Sequence, residues 1–294
     1  MQGLKLSLHS SFSFTNNLML KKYSLLFCAA LLVLSSCNSN KKETETTTTE
    51  PAAVTAAAPE VITYKMVATL PHDTAAYTEG FELNNGKLYE GTGTFENSFV
   101  SVADTSTGKV EKKFPVRDKT IYGEGITILN NQLFQLSYQN HIAYVYDMKD
   151  LGKIAGTFKW PYEGWGMTND GKQLYISVGS SIIYKVDPKS FAITGQIQVT
   201  DDLGTVDNLN ELEYADGFIY VNKWQTTKIL KIDPANGHVV GTIDCFGLLS
   251  QYAPDYTPKS EDSVLNGIAW DKASQLLYVT GKNWPLIFKL KLDK

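Results

Sequence analysis

The octapeptide GKLYEGTG, residues 86–93, is a polar turn running into a short apolar strand with an aromatic at its centre. Its form comes back four times, as NQLFQLSY (131–138), GKQLYISVG (171–179), DGFIYVNKW (216–224) and SQLLYVTGK (274–282). The aromatic anchors are Tyr89, Phe134, Tyr175, Tyr220 and Tyr278, spaced by 45, 41, 45 and 58 residues. Self-similarity at a period of roughly 40–50 residues, with several short strands per unit, is the mark of a β-propeller. The remainder of each unit agrees. An alternating strand ends near Asp, a turn follows, and another strand begins, as in IIYKVDPKSFAITGQIQV (182–199) and KILKIDPANGHVVGTIDC (228–245). Asp-Pro and Asn-Gly supply the turn chemistry. The last unit stops at LIFKLKLDK (286–294), one strand short, while VITYKMVATL (61–70) precedes the first repeat without a partner of its own. The expectation is an all-β, five-bladed propeller over 61–294, closed into a ring by the strand at about 61–70. Closure pairs the edges that an open array would leave exposed.

Upstream of the repeats the chain changes character. Lys21 and Lys22 precede YSLLFCAALLVLSSC (23–37). A basic region, an apolar run of about a dozen residues and a small-residue end read as an export signal over 1–36, too short to span a bilayer as a permanent helix. The final Leu34-Ser35-Ser36-Cys37 resembles the lipobox of bacterial lipoproteins, which implies cleavage before Cys37 and lipid on that cysteine. Residues 37–60, rich in Thr, Ala and charge, read as a flexible tether. The reading is therefore of an exported protein, lipid-anchored at the periplasmic face or the cell surface, whose only membrane contact is the anchor.

Composition narrows the function. Of three cysteines, Cys28 leaves with the signal and Cys37 is the anchor, so Cys245 has no internal partner for a disulfide. The histidines that survive processing, His72, His141 and His238, are widely spaced and in no ligand pattern, which argues against a zinc site. Loss of 1–36 removes three lysines and no acid, taking the net charge from −4 to −7. No basic stripe is visible, so a nucleic-acid partner is disfavoured. No metal and no cofactor is expected, and the protein is read as a monomer.

Superposing the repeats brings out one position per unit. Glu79, Glu124, Trp165 and Asn210 lie ten residues before their anchors, and Asn266 lies twelve before Tyr278 in a unit that carries two extra residues. In a propeller the first strand of each blade lines the central axis, so these five side chains should form one ring at its mouth. The residues four past each anchor, Gly93, Tyr138, Gly179, Trp224 and Lys282, should form a second. A purely structural ring would more often repeat small or aliphatic residues; these mix two Glu, two Asn, two Trp and one Lys, which points to a site. Tyr77 and Tyr122, two before Glu79 and Glu124, add to an aromatic wall with Trp165, Trp224 and Tyr138. Glycine follows the ring residue in four of the five units, which allows close backbone approach. Glu211 and Glu213 are weaker candidates, since either could serve a neighbouring backbone instead. Trp284 and Pro285 read as structural. The insertion 246–264 is either a lid over the final gap or a solvated loop.

At these residues the chain resembles the plant and bacterial type of glutaminyl-peptide cyclotransferase. The likeness covers roughly 66–294. It rests on YTEGF (77–81), GKLYEGTG, YGEGIT (122–127), GWGMT (164–168) with DGKQL (170–174), LNELEY (209–214), VNKWQT (221–226), LNGIAWD (265–271) and TGKNWP (280–285) taken together. The resemblance implies a metal-independent five-bladed propeller that converts N-terminal glutaminyl residues of peptides or proteins to pyroglutamyl with release of ammonia. The family's catalytic glutamate falls on Glu124, its lysine on Lys282, its asparagine on Asn210, and two pocket tryptophans on Trp165 and Trp224. The chain departs from the family elsewhere: Glu79 stands for a glutamine, Tyr138 for a third tryptophan, Tyr77 and Tyr122 for phenylalanines. Glu79, Tyr77, Tyr122, Tyr138 and Asn266 complete the expected substrate-binding set. Two other readings compete: a calcium-dependent propeller lactonase using the carboxylates and amides as ligands, which Lys282 in the adjacent ring opposes, and a non-catalytic propeller that binds peptide or glycan.

Overall fold

The computed structural model describes residues 57–116 and 118–293. The export signal assigned to 1–36, Cys37 and the tether up to residue 56 lie outside the described residues. Each repeat folds into a four-stranded antiparallel sheet. Blade 1 comprises Thr78–Asn84, Lys87–Thr92, Phe99–Asp104 and Val110–Pro115. Blade 2 comprises Gly123–Leu129, Gln132–Ser137, Ile142–Asp147 and Asp150–Lys159. Blade 3 comprises Met167–Asn169, Leu174–Ser177, Ile182–Val186 and Ile193–Gln198. Blade 4 comprises Leu209–Ala215, Phe218–Lys223, Lys228–Ile232 and Val239–Asp244. Blade 5 takes Leu265–Asp271, Leu276–Gly281 and Leu286–Leu292 from the end of the chain. Its outer strand is Tyr64–Pro71, from the beginning of the fold. Every aromatic anchor lies on the second strand of its blade. The first strands contact one another in a closed ring, blade 1 to 2 to 3 to 4 to 5 and back to 1.

The closing strand therefore exists as expected, with shifted limits. It begins at Tyr64 opposite Leu292 and ends at Pro71 opposite Leu286. Just before it, the Thr63 hydroxyl donates to the Asp293 carboxylate at 2.6 Å, and the Asp293 amide donates to the Thr63 carbonyl at 2.9 Å. That clasp ends the ladder and frees Glu60–Val61, which instead pair in parallel with Gly241 and Thr242 on the rim of blade 4. The loop before blade 4 carries a two-stranded ribbon, Thr200–Asp201 with Gly204–Thr205, and the insertion 246–264 contains one short helix, Leu248–Tyr252.

Because each blade is sandwiched between two others, both of its faces are buried. The result is five separate apolar cores, one per blade interface. Phe81, Leu88 and Ile287 pack between blades 5 and 1, Val100 and Ile128 between 1 and 2, and Leu136 and Leu174 between 2 and 3. Ile183 and Leu212 pack between blades 3 and 4, and Ile268 and Phe288 between 4 and 5. Each such fully buried side chain contributes about 1.5–3 kcal/mol by transfer from water. At the axis the first strands touch through backbone. A Cβ at Gly166 would lie 2.1 Å from the Asn210 carbonyl oxygen, and one at Gly80 would lie 2.4 Å from the Ile126 nitrogen. The glycines that follow the ring residues are needed for this contact between blades.

Blade 4 has Glu211 where the others have glycine, and its carboxylate reaches across the axis. It accepts from the Phe81 amide at 3.1 Å and the Ile268 amide at 2.9 Å, joining blades 1, 4 and 5. Glu213 accepts from the Trp270 amide at 2.9 Å, and Glu82 from the Ile128 amide at 2.9 Å. Glu211 and Glu213, weak candidates by sequence, thus serve neighbouring backbones. Buried amides that find no partner within their own sheet find one here.

Candidate active site

Four of the five ring residues sit on a local irregularity that the repeat pattern did not announce. In blades 1, 2, 4 and 5 the pairing of the first strand with the second shifts by one residue, between Thr78 and Gly80, Gly123 and Ile126, Leu209 and Leu212, and Leu265 and Ile268. Each shift is a β-bulge spanning the ring residue. A bulge bends the strand and re-aims the extra side chain. Here it turns Glu79, Glu124 and Asn210 out of the strand alternation and toward one hollow at the end of the axis.

That hollow is a cavity of about 210 Å³ lined by Tyr77, Glu79, Phe95, Tyr122, Glu124, Tyr138, Trp165, Asn210, Trp224, Asp262 and Lys282. Nine of the ten side chains expected at a site are therefore brought together from all five blades. The tenth, Asn266, is fully buried behind Glu79, and its amide donates to the Thr78 carbonyl at 2.8 Å and to Glu79 Oε2 at 3.2 Å. It supports a wall residue and does not line the cavity. Two lining residues lay outside the ring logic. Phe95 is on the turn after the second strand of blade 1 and meets Tyr122 edge-on at 5.3 Å. Asp262 comes from the insertion and accepts from Gln225 Nε2 at 2.9 Å. An exposed phenylalanine in the polar turn TFENS (94–98) is the one signal that could have marked Phe95.

The second ring explains its own mixture. Tyr138, Trp224 and Lys282 present side chains, and the two glycines make room for Tyr122 and for Trp165 of the first ring. A Cβ on Gly93 would lie 2.1 Å from the Tyr122 ring, and one on Gly179 would lie 2.6 Å from the Trp165 ring. Trp165 and Trp224 meet edge-to-face with centroids 5.4 Å apart, and Tyr122 leans on Tyr138 at 5.8 Å. Such pairs fix ring orientation beyond what area burial would do.

The polar groups divide into a bound pair and a free acid. Lys282 Nζ donates to Glu79 Oε1 at 2.8 Å and sits 4.6 Å above the Tyr77 ring. Tyr122 donates its hydroxyl to the same Glu79 oxygen at 3.1 Å. With Asn266 on Oε2, Glu79 has three donors. Glu124 has none of them. Burial holds the Glu124 carboxyl well above the usual carboxylate range, the negative charge of Glu79 pushes it further, and Lys282 only partly opposes this. Burial also raises Glu79, but Lys282 and Tyr122 pull it back toward the ionised form. Of the two acids, Glu124 is the one raised further, since it lacks the donors that pull Glu79 back. Burial and the two carboxylates raise the phenol of Tyr122 as well, so it remains a donor. Asn210 Oδ1 is buried and, among the described residues, has no hydrogen-bond partner. A protonated acid, an ammonium, an amide and stacked indoles around one small cavity suit a reaction that binds a planar polar group, moves a proton and stabilises a developing oxyanion.

Comparison with known proteins agrees with this chemistry. Residues 30–292 match the sequence model of the glutamine cyclotransferase family. A glutaminyl-peptide cyclotransferase of Arabidopsis thaliana is 38% identical over 233 residues, covering 78% of this chain and 71% of the plant protein. The crystal structure of glutaminyl cyclase from Myxococcus xanthus superposes with a TM-score of 0.73 at 29% identity, over 80% of this chain and 98% of the Myxococcus chain.

Proposed function

The chain belongs to the glutamine cyclotransferase family, and from that premise we propose that it closes the N-terminal glutaminyl residue of peptides and proteins to pyroglutamyl, releasing ammonia, with Glu124 as the proton shuttle. The α-amine of the substrate attacks its own side-chain carboxamide carbon. The carbonyl oxygen becomes an oxyanion, which Lys282 and Asn210 are placed to stabilise. Glu124 begins protonated and delivers its proton to the carboxamide nitrogen as the carbon–nitrogen bond breaks. It recovers one from the nitrogen that attacked, and ammonia and the five-membered lactam leave. Proton transfer by a positioned group contributes about 10²–10⁴ in rate. Trp165, Trp224 and Tyr138 hold the side chain folded over its own amine, so that few rotamers are lost at the moment of closure. Glu79 and Tyr77 fix the ammonium of Lys282, and Tyr122 and Asn266 fix Glu79 in turn.

The observation that carries this reading is the buried Glu124 carboxyl, lacking the donors that saturate Glu79, in a cavity that also holds Lys282 and Asn210. The test is direct. The protein is incubated with a glutaminyl dipeptide amide, ammonia is quantified and the product weighed by mass spectrometry. Stoichiometric ammonia with a matching loss of mass is expected, unchanged by EDTA; an intact peptide after prolonged incubation overturns the assignment. We further propose that the enzyme is exported as a monomer and tethered by lipid on Cys37, on the support of the signal-like segment ending in Leu34-Ser35-Ser36-Cys37. Incorporation of labelled fatty acid into the protein, abolished by Cys37→Ser, is the expected result.

A further inference from the structure

Beside the candidate site lies a second and larger depression, about 470 Å³, that the proposed chemistry does not use. Its floor is Cys245, Leu265 and Trp284, all buried, and its walls include Leu249, Ala253 and Tyr256 from the insertion. Phe246 stands on its rim with 82% of its surface exposed. Burial and the nearby Asp244 push the Cys245 thiol up to about 12, so the floor is uncharged at neutral pH. An apolar trough with an exposed phenylalanine at its edge, on an otherwise acidic protein, is the kind of surface that marks a binding site.

The two hollows are lined by residues adjacent in sequence at two places. Trp224 lines the small cavity and Gln225 the trough; Asp262 lines the cavity and Ser263 the trough. At a third, Lys282 faces the cavity and Trp284 the trough, with the Trp284 indole donating to the Ser263 carbonyl at 3.0 Å. Consecutive α-carbons are about 3.8 Å apart, so the passage from one hollow to the other is short. The ridge between them is the Gln225–Asp262 hydrogen bond, 2.9 Å long. It offers an amide and a carboxylate to a peptide backbone passing over it.

We propose that this trough is a subsite for the residues of the substrate that follow its N-terminal glutamine, and that it selects apolar side chains there. The inference rests on the cyclotransferase reading above. A cavity of about 210 Å³ takes the reacting residue, so the rest of the peptide must leave through the mouth. An extended chain advances about 3.3–3.6 Å per residue, which carries the third and fourth residues across the ridge and over the trough. The insertion 246–264 is thus a wall for the substrate's continuation, neither a lid on the cavity nor a bare surface loop.

The experiment compares kcat/KM for two tetrapeptide amides, Gln-Ala-Leu-Leu and Gln-Ala-Ser-Ser, on the unmodified protein and on two variants. Ala253→Trp fills the trough, and Phe246→Ser removes its exposed rim. The ratio of the two peptides within one preparation does not depend on the fraction of protein that is folded. The unmodified protein is expected to prefer the leucine peptide by about tenfold, the discrimination that one or two buried apolar side chains provide. Both variants should bring the ratio to within about twofold of unity. A ratio near one in the unmodified protein overturns the subsite, and so does a tenfold ratio that survives Ala253→Trp. A Phe246→Ser variant that changes oligomeric state on size exclusion while keeping its selectivity shows the trough to be a self-contact, and overturns it too. If no glutaminyl peptide is cyclised at all, the reading of the reaction falls and the subsite with it.

Discussion

Two sets of glutamates, buried or half-buried, lie on the axis of this propeller, one at its mouth and one below it. Glu211 is 0% exposed and Glu124 is 5% exposed, and both carboxyls are held well above the ordinary range, chiefly by burial. By burial and proton affinity alone Glu211 would be as good a candidate for chemistry as Glu124. They differ in what they touch. Glu82, Glu211 and Glu213 each spend oxygens on backbone amides of a neighbouring blade. Glu124 faces open volume shared with an ammonium and two indoles. A perturbed carboxyl therefore marks a site only when its lone pairs are left for something else to use. The mouth is also where the strands bulge.

The contrast can be broken most sharply by removing the acid function at each place. Glu124→Gln should lower kcat/KM on glutaminyl peptides by about 10³-fold, within the range for loss of a general acid–base, while the thermal midpoint moves little. Retention of a tenth of the normal rate would remove Glu124 from its role. Glu211→Ala should do the reverse. It strands two buried amides at about 1–3 kcal/mol each, so a loss of about 3 kcal/mol in denaturant unfolding is expected, with turnover per folded molecule largely kept.

Glu79→Gln sharpens the comparison inside the mouth. Removing that negative charge should lower the proton affinity of Glu124, because Glu79 is the second cause of its elevation after burial. The alkaline limb of the kcat profile should then move to lower pH, and a limb that stays in place would show that the two acids are not coupled in catalysis. The smallest effect is expected below the mouth. Burial pushes Glu82 up to about 7, against an ordinary value of 4.5. A carboxyl raised in the folded state lends stability that is complete below its unfolded value and is lost as pH rises through its folded one. The melting temperature should therefore fall between about pH 4.5 and 8, and Glu82→Gln, which can still accept from the Ile128 amide, should flatten that slope. An unchanged slope would mean that the deep acids are ionised in the fold already.

The repeat made most of this legible before any coordinates. Equivalent positions in equivalent units must converge on a common axis, and Glu79, Glu124, Trp165 and Asn210, each ten residues before its anchor, and Trp224 and Lys282, each four after, do so. What stayed hidden belongs to parts that do not repeat. Phe95 and Asp262 reach the cavity from a turn and an insertion, where no count from an anchor applies. Asn266, equivalent to the others once the two extra residues of its unit are allowed for, still misses the cavity, since Glu79 lies in front of it. The bulges add one residue to one strand, and that is invisible when strands are read singly. The limits of the closing strand depended on Thr63 finding Asp293 at the far end of the fold, a contact that no local pattern encodes.

The closing strand has a consequence in time as well as in space. Tyr64–Pro71 is among the earliest parts of the propeller to leave the ribosome, yet its only ladder partner among the described residues, Leu286–Leu292, is among the last. At translation rates of about 5–20 residues per second, the strand waits on the order of ten seconds or more with an unsatisfied edge. Its exposed lysine and valine, Lys65 and Val67, have opposite effects in that interval, one discouraging foreign strands and the other inviting them. Until the final residues arrive, blade 5 is one strand short, and the ring that sets Lys282 beside Glu79 lacks its outer clasp; maturation of the mouth is thus timed by completion of the polypeptide itself.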